Sequence, residues 1–579
     1  RTTEIRLLVD TTPPPVPVWT LAPESDSAPL GDNATTYRFV NLNGSGTEPG
    51  VRLDTGPNTR SFTANPDGTF RITDLALEPG SRMVTVRAID LAGNIAVFSR
   101  KLTRSVPNDT ASPAFVWNSA MLEAGRLNGD SPPQISRAFA MVSAAMYDAL
   151  NAVNGASSYL FARVTAPAFA SAPAALIAAA RRVMDYLYAP QAASIAATFN
   201  STLSAIPAGQ SREDGIAVGY AVADLIIAQR RADGSTDYTE YFPSTAPGLW
   251  QPTAPMFAPA LLPNWATLTP FSMTSPDQFL PQGPMALTSA QYTAEYNEVR
   301  SIGAANSTTR TADQTAMARF WADGAGTYTP AGHWNQIATS IAQSQNLSLF
   351  DTARLMAQLN VALADAAIVA WNAKYTYNQW RPITAIRNAD LDGNPDTEQD
   401  RGWMPLVNTP PFPDYLSGHS TFSGAAERIL SDTFGSNFSF TSRAFSLPGD
   451  APGALRSFTS FTHAANEASA SRIYGGIHFR ESCEVGLVAG RALGDHVLAR
   501  FSDLSDHTAP VVTVTSPGGN ERVRNASFSI EGRVVDGISA VTLAEAQLDD
   551  GPWQPLTLTN RPPTNGSGDF AYAVSVGGA

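Results

Sequence analysis

Between about Pro113 and Asp503 the apolar residues recur at helical spacing, whereas the stretches on either side alternate apolar and polar residues in period two. Side chains repeat every 3.6 residues around a helix and every second residue along a strand, so the two textures cannot share one fold. The chain therefore predicts a large all-α domain, residues 110–503, flanked by all-β modules. Helical spacing covers Ile135 to Val153, Ala174 to Ser204, Gly215 to Arg230, Ser289 to Ile302, Thr311 to Ala322, Ser348 to Trp380, Thr421 to Phe434 and Phe458 to Arg472, with a Pro-rich loop from Phe242 to Phe271. A domain of this size can bury a polar site.

The flanks, residues 11–104 and 506–579, are rich in Thr, Val, Pro and Gly. In the first, Met83 to Ile89 alternates, Asp90 to Asn94 forms a turn, and Ile95 to Leu102 is a last strand; in the second, Val511 to Val514 and Phe528 to Val534 are strands. Both open alike, as Asp10-Thr11-Thr12-Pro13-Pro14 and Asp506-His507-Thr508-Ala509-Pro510. These segments resemble the bacterial Ig-like β-sandwich repeats of large secreted and surface proteins. That resemblance implies an extracellular or cell-surface location and neighbouring Ig-like modules in a longer chain, with residues 1–10 as the closing strand of an upstream module and 506–579 truncated. Asp26, Asp32, Asp90 and Asn94 offer the oxygens a Ca²⁺ ion takes, and the same residue types are ordinary turn formers.

Thirty-eight Lys and Arg against 51 Asp and Glu give a net charge of −13, which repels phosphate backbones and argues against a nucleic-acid partner. No run approaches the roughly 18 uninterrupted apolar residues of a membrane span. The single cysteine, Cys483, excludes an internal disulfide and a multi-cysteine metal site, and its surroundings predict a buried small apolar residue. Lysine is scarce: only Lys101 and Lys374 occur, so arginine supplies nearly all the positive charge.

Three segments put cations and histidines into apolar surroundings. In Trp371-Asn372-Ala373-Lys374 to Trp380-Arg381-Pro382, Lys374 and Arg381 are two helical turns apart and are expected on one face, with Pro382 ending the helix just after Arg381. In Phe412-Pro413-Asp414-Tyr415-Leu416-Ser417-Gly418-His419, a Ser-Gly-His turn precedes a helical run, and a helix start offers free amides and a positive dipole end to an oxyanion. In Ser471-Arg472-Ile473-Tyr474-Gly475-Gly476-Ile477-His478, the glycine pair can break a helix and let Arg472 and His478 converge. Cations, helix amides and two histidines together suit one tetrahedral oxyanion. Each segment alone also fits a bland reading: a solvated stripe, an ordinary N-cap, a core histidine. Asp390 to Asp396 resembles the start of a calcium loop, but Arg401 stands where the bidentate Glu belongs, so a polar surface loop is expected. His333 either approaches the site or packs.

The pattern Lys-x6-Arg-Pro, Ser-Gly-His and Ser-Arg-x5-His resembles the vanadium-dependent haloperoxidase and type 2 phosphatidic acid phosphatase superfamily, and Trp117-Asn118 with Ala140 to Ala149 looks like the opening of its soluble bacterial members. The resemblance implies that Lys374, Arg381, Ser417, Gly418 and Arg472 hold vanadate, or phosphate in its place, with His478 as the ligand to vanadium and His419 as the acid-base histidine. It implies hydrogen peroxide and a halide as partners, with Lys374 polarising the peroxide and hypohalous acid as product. Trp371 and Phe412 would line the halide pocket, aromatic as in chloroperoxidases. Many members carry Asp four residues after the second histidine; this chain has Ser482. Two alternatives stay open: an acid phosphatase that forms a phosphohistidine at His478, and a surface structural or adhesive protein with a silent site.

Overall fold

Each texture builds its own core. The computed structural model describes residues 12–503 except 27–30, 32, 36, 57–58, 79, 105–111, 156–159, 325 and 445–453, and beyond 503 the segments 511–516, 527–535, 545–546, 554–557 and 568–575. The strand expected at residues 1–10 lies outside the described residues.

The first β-rich region contains β1 (Val18–Leu21), β2 (Ala34–Thr35), β3 (Phe39–Ser45), β4 (Arg52–Asp54), β5 (Phe62–Thr63), β6 (Phe70–Ala76), β7 (Gly80–Ile89) and β8 (Ile95–Arg104). Two sheets form, ordered β1-β3-β6 and β2-β8-β7-β4-β5. The alternation that defines β7 turns Val84, Val86 and Ala88 inward, where they meet Trp19 and Leu42 of the other sheet in one core. Asp90 accepts both the amide and the side-chain N–H of Asn94, and Asp26 accepts from the Gly31 amide. These carboxylates are making turns, Asp32 lies outside the described residues, and no cluster of metal-ligating acids or histidines forms among the described ones. Among the described residues the turn-forming alternative accounts for Asp26, Asp90 and Asn94.

The helical domain comprises α1 (Pro113–Asn128), α2 (Pro132–Asn154), α3 (Ala172–Leu187), α4 (Ala192–Leu203), α5 (Gln210–Arg230), α6 (Ala290–Ile302), α7 (Ala312–Phe320), α8 (Thr329–Ser344), α9 (Leu349–Tyr377), α10 (Pro382–Arg387), α11 (Gly418–Phe434), α12 (Phe461–Tyr474) and α13 (Arg480–Asp503). A hairpin of β9 (Phe440–Arg443) and β10 (Leu455–Phe458) leads into α12. At the far end, β11 (Val511–Ser516), β12 (Ser527–Val535) and β15 (Gly568–Ser575) pair antiparallel, and β13 (Glu545–Ala546) pairs with β14 (Gln554–Pro555).

Two expectations are corrected. The run Ala174 to Ser204 is two helices, because Pro190 has no amide to continue α3 and a short 3-10 turn takes over at Ala189–Gln191. The helix containing Lys374 stops at Tyr377, where Asn378 adopts a left-handed conformation (φ 51°) and returns its amide to the Lys374 carbonyl at 2.8 Å. Arg381 is therefore the residue preceding α10, with Pro382 at that helix's first position, and does not share a helix with Lys374. The Asp390 to Asp396 loop is polar but only partly at the surface: Asp392 and Asn394 are buried and bond the loop to itself and to Leu287. Cys483 is buried as expected.

Among the described residues, α9 alone is long and apolar enough to cross a membrane, and it is buried almost throughout between α2, α11 and α13. Its mid-helix Asp365 accepts the amides of Phe271 and Ser272, each at 2.7 Å, and so pins the Pro-rich loop over the bundle. The β-rich region is tied to the same bundle by Asp74, which accepts from Ser171 Oγ and from the first amide of α3.

Helices α11 and α13 cross closely enough that a Cβ on Gly490 would lie 2.2 Å from the Thr421 carbonyl oxygen. Helix propensity alone favours Ala over Gly by about 1 kcal/mol, whereas overpacking a close crossing costs about 1–3 kcal/mol. Gly490→Ala is expected to lower the melting temperature by several degrees, read by circular dichroism; a higher melting temperature would show that the crossing has room to spread.

Candidate active site

The three segments converge where α9 ends, α11 begins and α12 passes into α13. Ser417 caps α11, its Oγ accepting from the Ser420 amide, so Gly418 and His419 occupy the first turn, whose amides have no intrahelical partner. Gly475 and Gly476 break the chain between α12 and α13, with Gly476 at φ 77° and so close to Gly303 that a Cβ would strike its carbonyl. Lys374, Arg381, Ser417, Arg472 and His478 are all buried.

Lys374 Nζ donates to the carbonyls of Pro413 (2.8 Å), Asp414 (2.9 Å) and Leu416. All three of its N–H groups are thus directed at the strap that leads into α11. Burial, and then the neighbouring Arg381, hold its pKa well below that of an ordinary lysine. Arg381 donates to the carbonyls of Phe412 and Ile477, each at 2.7 Å, and its Nη1 stands 3.0 Å from His478 Nε2. Arg472 donates to the Trp321 carbonyl at 2.7 Å. Burial lowers both guanidinium pKa values to about 10.

Guanidinium can only donate, so His478 Nε2 is an acceptor and the ring proton sits on Nδ1. Nδ1 lies 3.2 Å from Ser482 Oγ and 3.0 Å from Asp414 Oδ1. Desolvation, reinforced by Arg381, Lys374 and Arg472, keeps His478 well below the usual histidine range. Burial also pushes the Asp414 carboxyl up to about 7 against the pull of Arg381 and Lys374. His419 is likewise held well below the usual range by burial and then Arg472. The carbonyls of Ala322 and Trp321 take its donor side, which leaves Nε2 without a protein partner.

Arg381 Nη2 and Arg472 Nε are also buried without a hydrogen-bond partner. Donors of this kind are costly to bury unanswered, and the site carries more cationic groups than Asp414 and, near Arg472, Asp323 can balance. Asp414 Oδ1 and Oδ2 are also without a hydrogen-bond partner, so the unanswered atoms are two guanidinium donors, one imidazole nitrogen able to exchange a proton, and the two oxygens of a single carboxyl. A compact oxyanion fits that donor set.

Trp371 and Phe412 are brought together with ring centroids 4.8 Å apart, and Lys374 Nζ and Arg381 Cζ each lie 4.9 Å from the Phe412 ring centre. A Cβ on Gly418 would make only ordinary contact, with the Trp371 ring edge at 3.5 Å and the Phe422 ring at 3.9 Å. His333 packs beside the site: its Nδ1 is 3.1 Å from Asp323 and its ring 4.7 Å from Trp321, whose carbonyl Arg472 holds.

Sequence reasoning missed Asp414 and Asp323. The signal for Asp414 was its isolation, as the one charge between Pro410 and Ser417. Asp323 gave no signal, because it follows an ordinary amphipathic helix.

A family model for the second helical-bundle domain of VCPO matches residues 354–507. The vanadium chloroperoxidase of Curvularia inaequalis is 31% identical over 273 residues, covering 39% of this chain and 44% of that protein, so the chain matches less than half of that relative's length. The crystal structure of a bacterial vanadium-dependent iodoperoxidase superposes with a TM-score of 0.59 at 30% identity, over 68% of this chain and 97% of that one. A bacterial vanadium-dependent chloroperoxidase in its apo form shares the fold with a TM-score of 0.54 at 16% identity, over 65% and 95% of the two chains.

Because burial disfavours charge on both site histidines, they are expected to be neutral at pH 6 in the anion-free protein. Nitrogen-15 spectra of histidine-labelled protein test this; an imidazolium signature for His419 or His478 at pH 6 would contradict it.

Proposed function

The chain belongs to the vanadium haloperoxidase family, and from that premise we propose that it is a vanadate-dependent haloperoxidase that oxidises halide with hydrogen peroxide to hypohalous acid. The observation that carries this reading is the unanswered set of Arg381 Nη2, Arg472 Nε and His419 Nε2 around His478. Vanadate, when bound, supplies a Lewis-acidic centre at which peroxide is activated.

In this reading Arg381 and Arg472, with the Ser417 and Gly418 turn, neutralise and orient the oxyanion, and His478 offers Nε2 as its ligand once Arg381 turns to the anion. His419 accepts and returns protons through Nε2. Trp371 and Phe412 form a dry wall on which a halide can rest beside positive charge, and an aromatic residue at position 412 favours chloride competence. Lys374 adds to the positive field, but its three donors hold the strap. Polarising peroxide would require it to release one carbonyl.

We also read the first β-rich region as Ig-like and the protein as extracellular or cell-surface. Its two sheets around a shared core and the matching openings at Asp10 and Asp506 support that reading.

Vanadate-loaded protein is expected to oxidise iodide, bromide or chloride with peroxide in a monochlorodimedone or triiodide assay. Hydrolysis of an aryl phosphate without halide oxidation would replace this reading with a phosphohistidine phosphatase; neither activity would leave a silent site on a surface protein. His419→Ala should retain vanadate binding and lose about 10²–10⁴-fold in turnover, the usual share of a general acid-base group. Full activity in that variant would remove the proton-transfer role.

A further inference from the structure

We propose that Asp414 is the positioning carboxylate of His478, reaching it from the strap before α11 in a chain whose α13 carries serine at position 482. The inference rests on the family reading in one respect, that His478 is the ligand histidine.

Three observations carry it. Asp414 Oδ1 is 3.0 Å from His478 Nδ1 and 3.7 Å from Arg381 Nη1, close charge contacts without a hydrogen bond, and both the Asp414 and Arg381 side chains are fully buried. Ser482 Oγ donates its one proton to the Asp414 carbonyl at 3.0 Å. Towards Nδ1, 3.2 Å away, that oxygen can therefore only accept, and it is neutral. The strap backbone at Asp414 is fixed from three sides: its carbonyl by Lys374 Nζ and Ser482 Oγ, and its amide by the Gln379 carbonyl at 2.9 Å.

The consequence is a division of labour. Ser482 receives the Nδ1 hydrogen and fixes the ring's rotation, while the Asp414 carboxyl stands close behind Nδ1, where its ionised form favours a protonated Nδ1 and a basic Nε2. A partner of this kind behind a ligating imidazole typically changes metal affinity 10–100-fold. Lys374 then acts on His478 through the strap, because it holds the segment that carries the carboxylate.

The test is a variant cycle on the full chain with vanadate as probe, its affinity measured by titration calorimetry. Asp414→Asn is expected to weaken vanadate binding at least about tenfold, and Asp414→Asn/Ser482→Asp to recover most of that loss by restoring a carboxylate four residues after His478. Ser482→Asp alone should not strengthen binding, because the position behind Nδ1 already has its charge. Unchanged affinity in Asp414→Asn, no recovery in the double variant, or tighter binding in Ser482→Asp would each overturn the proposal. If Asp414→Asn does not fold, Ser482→Asp decides by itself. If the parent chain binds no vanadate, the family reading fails, and nitrogen-15 spectra of the anion-free proteins still decide. Nδ1–H at His478 that is lost in Asp414→Asn and regained in the double variant supports the inference; a tautomer indifferent to position 414 overturns it.

Discussion

The site depends on the bonds from Lys374 to three carbonyls of the strap, those of Pro413, Asp414 and Leu416. They tie the end of α9, a helix buried in the middle of the bundle, to residues 413–416, and so set the point at which α11 begins. Because Ser417 caps α11 and its amide meets the Ser482 carbonyl at 3.0 Å, the strap also fixes the register of α11 against α13. One ammonium thus orders both histidine-bearing segments. A neutral side chain of similar length could fill the space but could not satisfy three buried carbonyls, and each unanswered carbonyl costs about 1–3 kcal/mol.

Electrostatics then follows from burial. In water the cations, the carboxylate and the two imidazoles would titrate near their ordinary values; inside the bundle, desolvation moves all of them towards neutrality. Such a site is under-stabilised without an anion, since an oxyanion would satisfy the orphaned guanidinium donors and compensate the buried positive charge at once. The net charge of −13 therefore describes the chain as a whole, and the buried site, with three cationic side chains, is the local inverse of it.

The switch from period-two to helical texture was legible in the sequence because it depends only on which side chains face inward, and so were the glycine break at Gly475-Gly476 and the Ser417 cap, which are local. What escaped was set by partners distant in sequence. Pro382 marks an end for the helix of Lys374 by its chemistry, yet Asn378 ends it four residues earlier, and no periodicity distinguishes a helix end at 377 from one at 381. Helices α1, α8, α10 and α13 went unmarked as elements, α8 and much of α1 being buried on more than one face and thus lacking a clean stripe. Asp414 could not be paired with His478 across 64 positions of chain from its identity alone.

A serine at position 482 supplies no carboxylate from α13 to His478, which matters for any chemistry that needs a strong nucleophile or ligand there. Asp414 meets that need for both branches of the superfamily, because a carboxylate behind Nδ1 supports an imidazole that ligates vanadium and one that attacks phosphorus alike. What separates the branches must then lie in residues other than His478 and its partners. Among them are His419, with its free Nε2, and the Trp371–Phe412 pair beside Lys374 and Arg381. A wall of two aromatic rings beside cations suits a small polarisable halide better than the hydrated head of a phosphate ester, and this is the physical reason the haloperoxidase reading leads.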